Sequence, residues 1–217
     1  MEKVGLNYGE SIYERGDVIG DVYFPDSGIV SLLATIDDGA MLEVGIVGNE
    51  GMVGLAVFLG VETANNRAIV QGTGTAMKIK SADFLEECER GVALPKILQR
   101  FTHSLMAQIS QSAVCFRFHQ VEARLARWLL MTADRMHSHD FQITQDFMAH
   151  MLGVRREAVS KSAVILQKQH LIQYTRGKMQ ILDRAKLEKT SCSCYFVIKA
   201  EENIFSVKQD SFFTIHS

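Results

Sequence analysis

Between residues 155 and 161 the chain reads Arg155-Arg156-Glu157-Ala158-Val159-Ser160-Lys161. Arginine can pair bidentately with guanine O6 and N7, and glutamate can accept from cytosine N4. Such chemistry needs the side chains on an exposed helical turn that enters a major groove. Arg156 and Glu157 are the candidate base readers, with Lys161 one helical turn further on. Thr144, Gln145, Arg155, Ser160, Arg176 and Lys178 are better placed for phosphates, which position a protein without specifying sequence.

The surrounding sequence supplies elements that would hold these groups. Thr144 can cap a helix whose first turn carries Asp146. Ala149 lies four residues before Gly153, and Val159 follows six after it. That order suits a helix–turn–helix: a small residue lets the helices approach, glycine permits the turn, and an apolar residue fixes the crossing. Met148, Leu152 and Val154 complete a small core. The second helix, Arg155–Lys168, turns Val159, Ala163 and Leu166 inward. Leu171-Ile172-Gln173-Tyr174 and Met179-Gln180-Ile181-Leu182 flank Thr175-Arg176-Gly177-Lys178, a hairpin with a basic tip, as in the wing of a winged helix.

Upstream, Val121, Leu125, Trp128, Leu129 and Met136 share one face of a helix over 119–136, with Glu122, Arg124, Arg127 and Arg135 largely elsewhere. Before it, three- and four-residue apolar steps predict a long helix from Leu94 to Phe116, with Pro95 in its first turn. No Asp, Glu, Lys or Arg lies between Arg100 and Arg117. A helix with one face in water normally carries charge there. One side would pack on its own module and the other on a second copy, with Ile97, Phe101, Leu105 and Ile109 as the dimer residues. Residues 10–80 read as short strands separated by Arg15-Gly16-Asp17, Pro25-Asp26-Ser27-Gly28, Asp37-Asp38-Gly39 and Gly72-Thr73-Gly74. This spacing indicates an all-β sandwich or barrel-like module. No helical period competes before residue 81, where Ser81 is a candidate N-cap of a short helix.

Composition narrows the class. The 217 residues are 47% hydrophobic and 22% charged, values ordinary for a globular chain and wrong for a disordered one. No uncharged apolar run approaches a membrane span, and the N-terminus lacks a secretory signal's apolar core, so a cytoplasmic protein without membrane contact is expected. Net charge is −2 overall but −9 over residues 1–92, +3 over 93–118, +5 over 119–190 and −1 over 191–217. An acidic module joined to a basic one makes the second a candidate for nucleic acid. Gly72-Thr73-Gly74-Thr75 lacks the Lys-Ser/Thr ending of a phosphate loop, and no Ser–His–acid or zinc-ligand spacing stands out, so no enzyme is expected. Cys192-Ser193-Cys194 has only distant histidines as partners, and its thiols read as incidental. His137 and His139 read as surface histidines. Ser211–Ser217 has no assigned role.

The order of β module, long apolar helix and winged helix resembles the Crp–Fnr family of transcription regulators. The resemblance is carried by YERGDVIGDVYFPDSGIVSLL, EVGIVGNEGMVGLAVFLG, QVEARLARWLL, and MLGVRREAVSK followed by HLIQYTRGKMQILD. It implies an α+β chain. Residues 1–92 would form a cyclic-nucleotide-binding-like β-roll or jelly-roll sensor, 93–118 a dimerisation helix, 119–190 a winged helix–turn–helix and 191–217 a C-terminal tail. It also implies a homodimer on a two-fold site in double-stranded DNA, with RNA polymerase as a further partner and a small effector in the roll. Arg156, Glu157 and Lys161 match the family's Arg-Glu-x-x-x-Arg base-reading positions, with lysine last. Ser162 stands where an aliphatic residue is usual.

The sensor site departs from the family pattern. Nucleotide-binding members use Gly-Glu in a turn and Arg-Ser further on. Here the turn is Gly48-Asn49-Glu50-Gly51-Met52-Val53-Gly54, and the later pair aligns with Asn66-Arg67, one residue out of step. On a strand that offset turns the side chain to the other face. Gly48, Glu50, Gly51, Met52, Val53, Asn66 and Arg67 are the candidate effector residues, and cyclic AMP or GMP is not the expected ligand. No iron–sulfur cluster is expected, because the family's N-terminal cysteine cluster is missing and the first cysteine is Cys88. The alternative reading is a ligand-sensing adaptor whose winged helix contacts protein.

Overall fold

The computed structural model describes residues 1–36 and 39–202. Five strands form one antiparallel sheet: β1 (Glu2–Leu6), β2 (Ser11–Tyr13), β3 (Asp21–Thr35), β4 (Met41–Val47) and β5 (Arg67–Lys80), in the order β1-β5-β3-β4 with β2 also on β5. A single helical turn, α1 (Leu55–Phe58), interrupts the run of strands where the sequence predicts none. Two of the expected turns are also absent. Pro25–Gly28 and Gly72–Gly74 lie inside the long strands β3 and β5, where the register shifts through successive bulges. The glycines serve close backbone approach instead of reversal. A Cβ at Gly28 would lie 2.5 Å from Gly72 O, and one at Gly74 would lie 2.1 Å from Ser27 O. Bulges add bend and twist to paired strands, which curls this sheet into a roll. Asp37 and Asp38 lie outside the described residues.

Helices α2 (Ser81–Arg90) and α3 (Ala93–Phe118) follow. Ser81 is the first helical residue and not the cap; its hydroxyl donates to Ile19 O at 2.6 Å. The roll buries Val22, Val30, Val47, Phe84, Leu98, Phe101 and Leu105 together. After α4 (Val121–Met136) come β6 (Asp140–Gln142), α5 (Gln145–Leu152), α6 (Arg156–Lys168), β7 (Ile172–Thr175), β8 (Lys178–Ile181), α7 (Arg184–Thr190) and a helical stretch over 194–202. This is the α+β order read from the sequence: sheet module, long helix, winged helix–turn–helix.

The second core joins the two modules. Helix α4 lies between Ile29, Leu33 and Ile46 of the sheet and Met148, Leu152, Val159 and Leu166 of the helix–turn–helix. Leu125, Leu129 and Leu130 are fully buried there, each contributing about 1.5–3 kcal/mol. Because both sides of α4 are covered, the arginines that the sequence sets largely off its apolar face are enclosed as well. Arg124, Arg127 and Arg135 are all buried. Each finds a partner that local spacing hides. Arg135 pairs with Glu50 at 2.8 Å and with Glu202. Arg124 donates to Leu152 O and stacks over the Phe116 ring. Arg127 reaches Ser112 Oγ at 3.4 Å.

A polar network crosses the same interface. Trp128 Nε1 donates to Glu43 at 2.8 Å, Ser31 Oγ lies 2.8 Å from both Glu43 and Gln71, and Gln71 Nε2 donates to Thr132 at 2.8 Å. Burial pushes the Glu43 carboxyl up to about 7 against the pull of the Ser31 and Trp128 hydrogen bonds and of Arg127 and Arg135. In this orientation Ser31 has one proton for two acceptors, and a protonated Glu43 supplies the second. The segment after α7 is also part of the fold as far as residue 202. Tyr195 is 1% exposed and donates to Asp134 at 2.8 Å, and Ile198 is buried. Ser211–Ser217 lies outside the described residues.

Candidate nucleic-acid interface

Thr144 caps α5 by accepting from Phe147 N–H at 3.1 Å. Helix α5 ends at Gly153, whose φ of +57° is left-handed, a conformation glycine adopts without strain. Met148, Ala149, Leu152, Val159, Ala163 and Leu166 then close the corner between α5 and α6, all buried. Ser162, in the unusual position, is buried among them. Burial of this face leaves the other to solvent. Arg156, Glu157 and Lys161 are exposed on the first turns of α6, and Arg155 is exposed at its N-cap position. Arg156 lies 3.5 Å from Asp146, and both side chains are about three-fifths exposed, so the pair holds Arg156 weakly.

The phosphate candidates divide. Arg176 and Lys178 are exposed at the hairpin between β7 and β8, where Arg176 and Gly177 both have positive φ. Two left-handed central residues make the two-residue reversal that matches strand twist. Thr144 is exposed, with its hydroxyl engaged in the cap. Ser160 Oγ donates to Gln145 Oε1 at 2.6 Å, so those two hold α5 and α6 together. Arg155, Arg156, Lys161, Arg176 and Lys178 are therefore the exposed cations among these candidates, whereas the α4 arginines are buried.

The candidate effector turn is closed. The backbone N–H of Gly48 donates to both carboxylate oxygens of Glu50 at 3.1 Å, Gly51 N–H donates to Gly48 O, and Val53 N–H donates to Tyr23 O. Glu50 is in turn held by Arg135, and a Cβ at Gly51 would overlap the Phe101 ring. Arg67 pairs with Glu14, Nε to Oε1 3.0 Å. Met52 and Asn66 instead line a cavity of about 190 Å³ between the roll and α3, with Tyr13, Leu32, Leu55 and Thr102. Among the described residues no charged side chain lines it. Burial pushes the Tyr13 hydroxyl up to about 12, against a hydrogen bond from the Gly54 backbone, so it stays neutral. Asn66 Oδ1 is itself shielded from the cavity and has no hydrogen-bond partner among the described residues.

The cyclic nucleotide-binding domain model matches residues 4–90, and the Crp-like helix-turn-helix domain model matches residues 123–190. The chain belongs to the Crp–Fnr family of transcription regulators. The transcriptional regulator LdrP of Thermus thermophilus is 26% identical over 196 residues, covering 85% of this chain and 94% of LdrP. The structure of FixK2 from Bradyrhizobium japonicum aligns with a TM-score of 0.75 at 15% identity, covering 88% of this chain and 98% of that one. A CRP-family regulator from Thermus thermophilus aligns with a TM-score of 0.70 at 20% identity, covering 88% and 96%. At these identities the structures attest the fold. Like other Crp–Fnr members, this chain is a DNA-binding transcription regulator and not an enzyme. Among the described residues no helix is long and apolar enough to cross a membrane.

Within this Crp–Fnr chain α3 presents two faces. Phe101 and Leu105 are buried against their own roll and Ile97 is half-buried there, whereas Ile109 is exposed. The solvent face carries Met106, Ile109, Val114 and Phe118. Sequence periodicity marks α3 as apolar all round without showing which stripe its own roll takes.

The cysteines differ most from the sequence reading. Cys192 and Cys194 are not isolated from other ligands. Cys115 and His119, at the C-terminal end of α3, lie beside them, and the four ligand atoms fall within 4.8 Å of one another. The four-residue spacing of Cys115 and His119 on a helix end was the available signal; their partners lie more than seventy residues away in sequence.

Proposed function

We propose that this regulator acts as a homodimer that reads a two-fold-symmetric DNA site through α6. The observation that carries this reading is the division of α6: Val159, Ala163 and Leu166 are buried, and Arg156, Glu157 and Lys161 are exposed on its first turns. Arg156 and Glu157 read base edges, Lys161 reads one turn further, and Arg155, Arg176 and Lys178 meet phosphates. The exposed apolar face of α3 supplies the dimer contact, because a helix stripe of this kind is normally covered. A dimer sets the two α6 helices about 34 Å apart, matching half-sites one helical turn apart. RNA polymerase is the partner through which such binding changes transcription.

The cavity beside Asn66 favours a small uncharged effector. A cyclic nucleotide needs a cation or free N–H groups for its phosphate, and the turn's N–H groups at Gly48, Gly51 and Val53 are already donated within the chain. A compact, largely apolar molecule fits the uncharged lining of Tyr13, Leu32, Met52 and Thr102 instead. Gel-shift titration of the full chain against its own upstream DNA tests the main reading. A retarded complex competed by the specific site supports it. Capture of protein partners with no DNA binding at low ionic strength would transfer the winged helix to the adaptor reading.

A further inference from the structure

Cys115 and Cys194 are fully buried, Cys192 is 5% exposed, and His119 is partly buried. The Cys115 and Cys192 sulfurs are 3.4 Å apart, and Cys194 Sγ is 3.4 Å from His119 Nδ1. With Zn–S near 2.3 Å, tetrahedral geometry sets ligand sulfurs about 3.8 Å apart. The four ligand atoms, all within 4.8 Å of one another, are of the size one such ion draws together. A polynuclear iron–sulfur cluster places several metal atoms between its ligands and needs them further apart. Three thiolates with one imidazole form a donor set that closed zinc sites use.

The surroundings fit a group with excess negative charge. Three thiolates and a neutral imidazole around a dication carry a net charge of −1. Arg127 is buried, its charge acts on the Cys115 and Cys192 thiols, and its Nε has no hydrogen-bond partner among the described residues. A buried cation needs a counter-charge, which the thiolate site provides. Gln111 Nε2 donates to Cys194 Sγ at 3.1 Å, the kind of outer contact that orients a ligand sulfur.

We propose that Cys115, His119, Cys192 and Cys194 bind one zinc-type divalent ion that clamps the joint between the sensor and the DNA-binding module. The joint is the break between α3 and α4, where His119 and Gln120 are both extended. Two ligands come from the end of α3. The other two come from the segment that follows α7 and packs on α4 through Tyr195 and Asp134. A single ion therefore fixes the end of the long helix to the module that carries α6. The site stands on its own geometry, so its metal content is measured independently of any DNA binding.

The test uses the reduced, metal-free full chain titrated with Co²⁺ and then Zn²⁺. One Co²⁺ per chain should give the visible bands of a tetrahedral ion with thiolate charge transfer in the near ultraviolet, and Zn²⁺ should abolish them. Zinc should protect Cys115, Cys192 and Cys194 from alkylation, as mapped by peptide mass, and leave Cys88 reactive. This mapping needs no variant. Cys88→Ser should keep the spectrum and the double change Cys192→Ser with Cys194→Ser should lose it. Gln111→Ala should weaken zinc binding by about tenfold. Three results would overturn the proposal: no tetrahedral spectrum at stoichiometric Co²⁺, a Cys115–Cys192 disulfide in the freshly purified protein, or an iron–sulfur chromophore.

Discussion

Replacing Arg156 with alanine separates base reading from phosphate contact. The Arg156 side chain is exposed and its only described ion pair is with Asp146 at 3.5 Å. Pairs this exposed are worth about 0–1 kcal/mol, so little intramolecular stabilisation opposes transfer of Arg156 to a base. A bidentate arginine–guanine contact contributes about 1–3 kcal/mol of discrimination, or roughly 5–150-fold in affinity. Two symmetric copies double that loss on a full site when the half-sites act independently. The assay is fluorescence anisotropy against the natural site and a panel of single base-pair variants, at several salt concentrations. Arg156→Ala should bind the natural site more weakly, lose its preference at one position per half-site, and keep its salt slope. Asp146→Asn should leave Arg156 freer and tighten binding by less than about fivefold. Lys178→Ala should instead weaken every sequence alike and reduce the salt slope by about 1. An Arg156→Ala loss that is uniform across the panel, with a shallower salt slope, would rule out the base-reading assignment.

Gly153→Ala forces a left-handed alanine and places its Cβ 2.6 Å from Leu42 Cδ1. It should cost about 1–2 kcal/mol and lower the melting temperature by roughly 2–8 °C. A cost that vanished in a Leu42→Ala background would show that steric contact alone was responsible. Glu43 gives a pH signature. Its folded pKa is raised from 4.5 to about 7, so its stabilising contribution is complete below pH 4.5 and is lost as pH rises through 7. Stability should fall by up to about 3 kcal/mol over that window, and denaturant titrations of Glu43→Gln should show the slope flattened. A slope unchanged in Glu43→Gln would place its origin elsewhere. Met106→Asp puts charge on the exposed face of α3 and should convert dimer to monomer in sedimentation without lowering the melting temperature of the monomer. A persistent dimer would move the interface off α3.

The winged helix–turn–helix was legible because its signals are local. Thr144 as cap, Gly153 as turn and Val159 as lock lie within sixteen residues, and each specifies geometry for its neighbours. The wing followed from Arg176-Gly177 between two apolar runs. The roll was legible only in class. Glycines at 28, 72 and 74 read as reversals, yet they serve a close crossing of two long strands, because a turn and a bulge demand the same missing Cβ. The burial of the α4 arginines was not legible because their partners lie elsewhere in the chain, Glu50 and Glu202 of Arg135 farthest of all. The cysteine cluster was hidden for the same reason. Its two halves come from the end of α3 and from the segment after α7, and only the packing of that segment on α4 brings them together.

The reading of this chain as a regulator rests on two copies of α6 recognising one symmetric site. Selection of bound duplexes from a random pool by the purified full chain, with the stoichiometry of the complex measured on the winning sequence, bears on this without intermediates. The expected winner is an inverted repeat with half-sites about 10–11 bp apart, bound by two chains per duplex. An asymmetric winner bound by one chain, or a pool with no enriched sequence at low salt, would be incompatible with paired recognition helices.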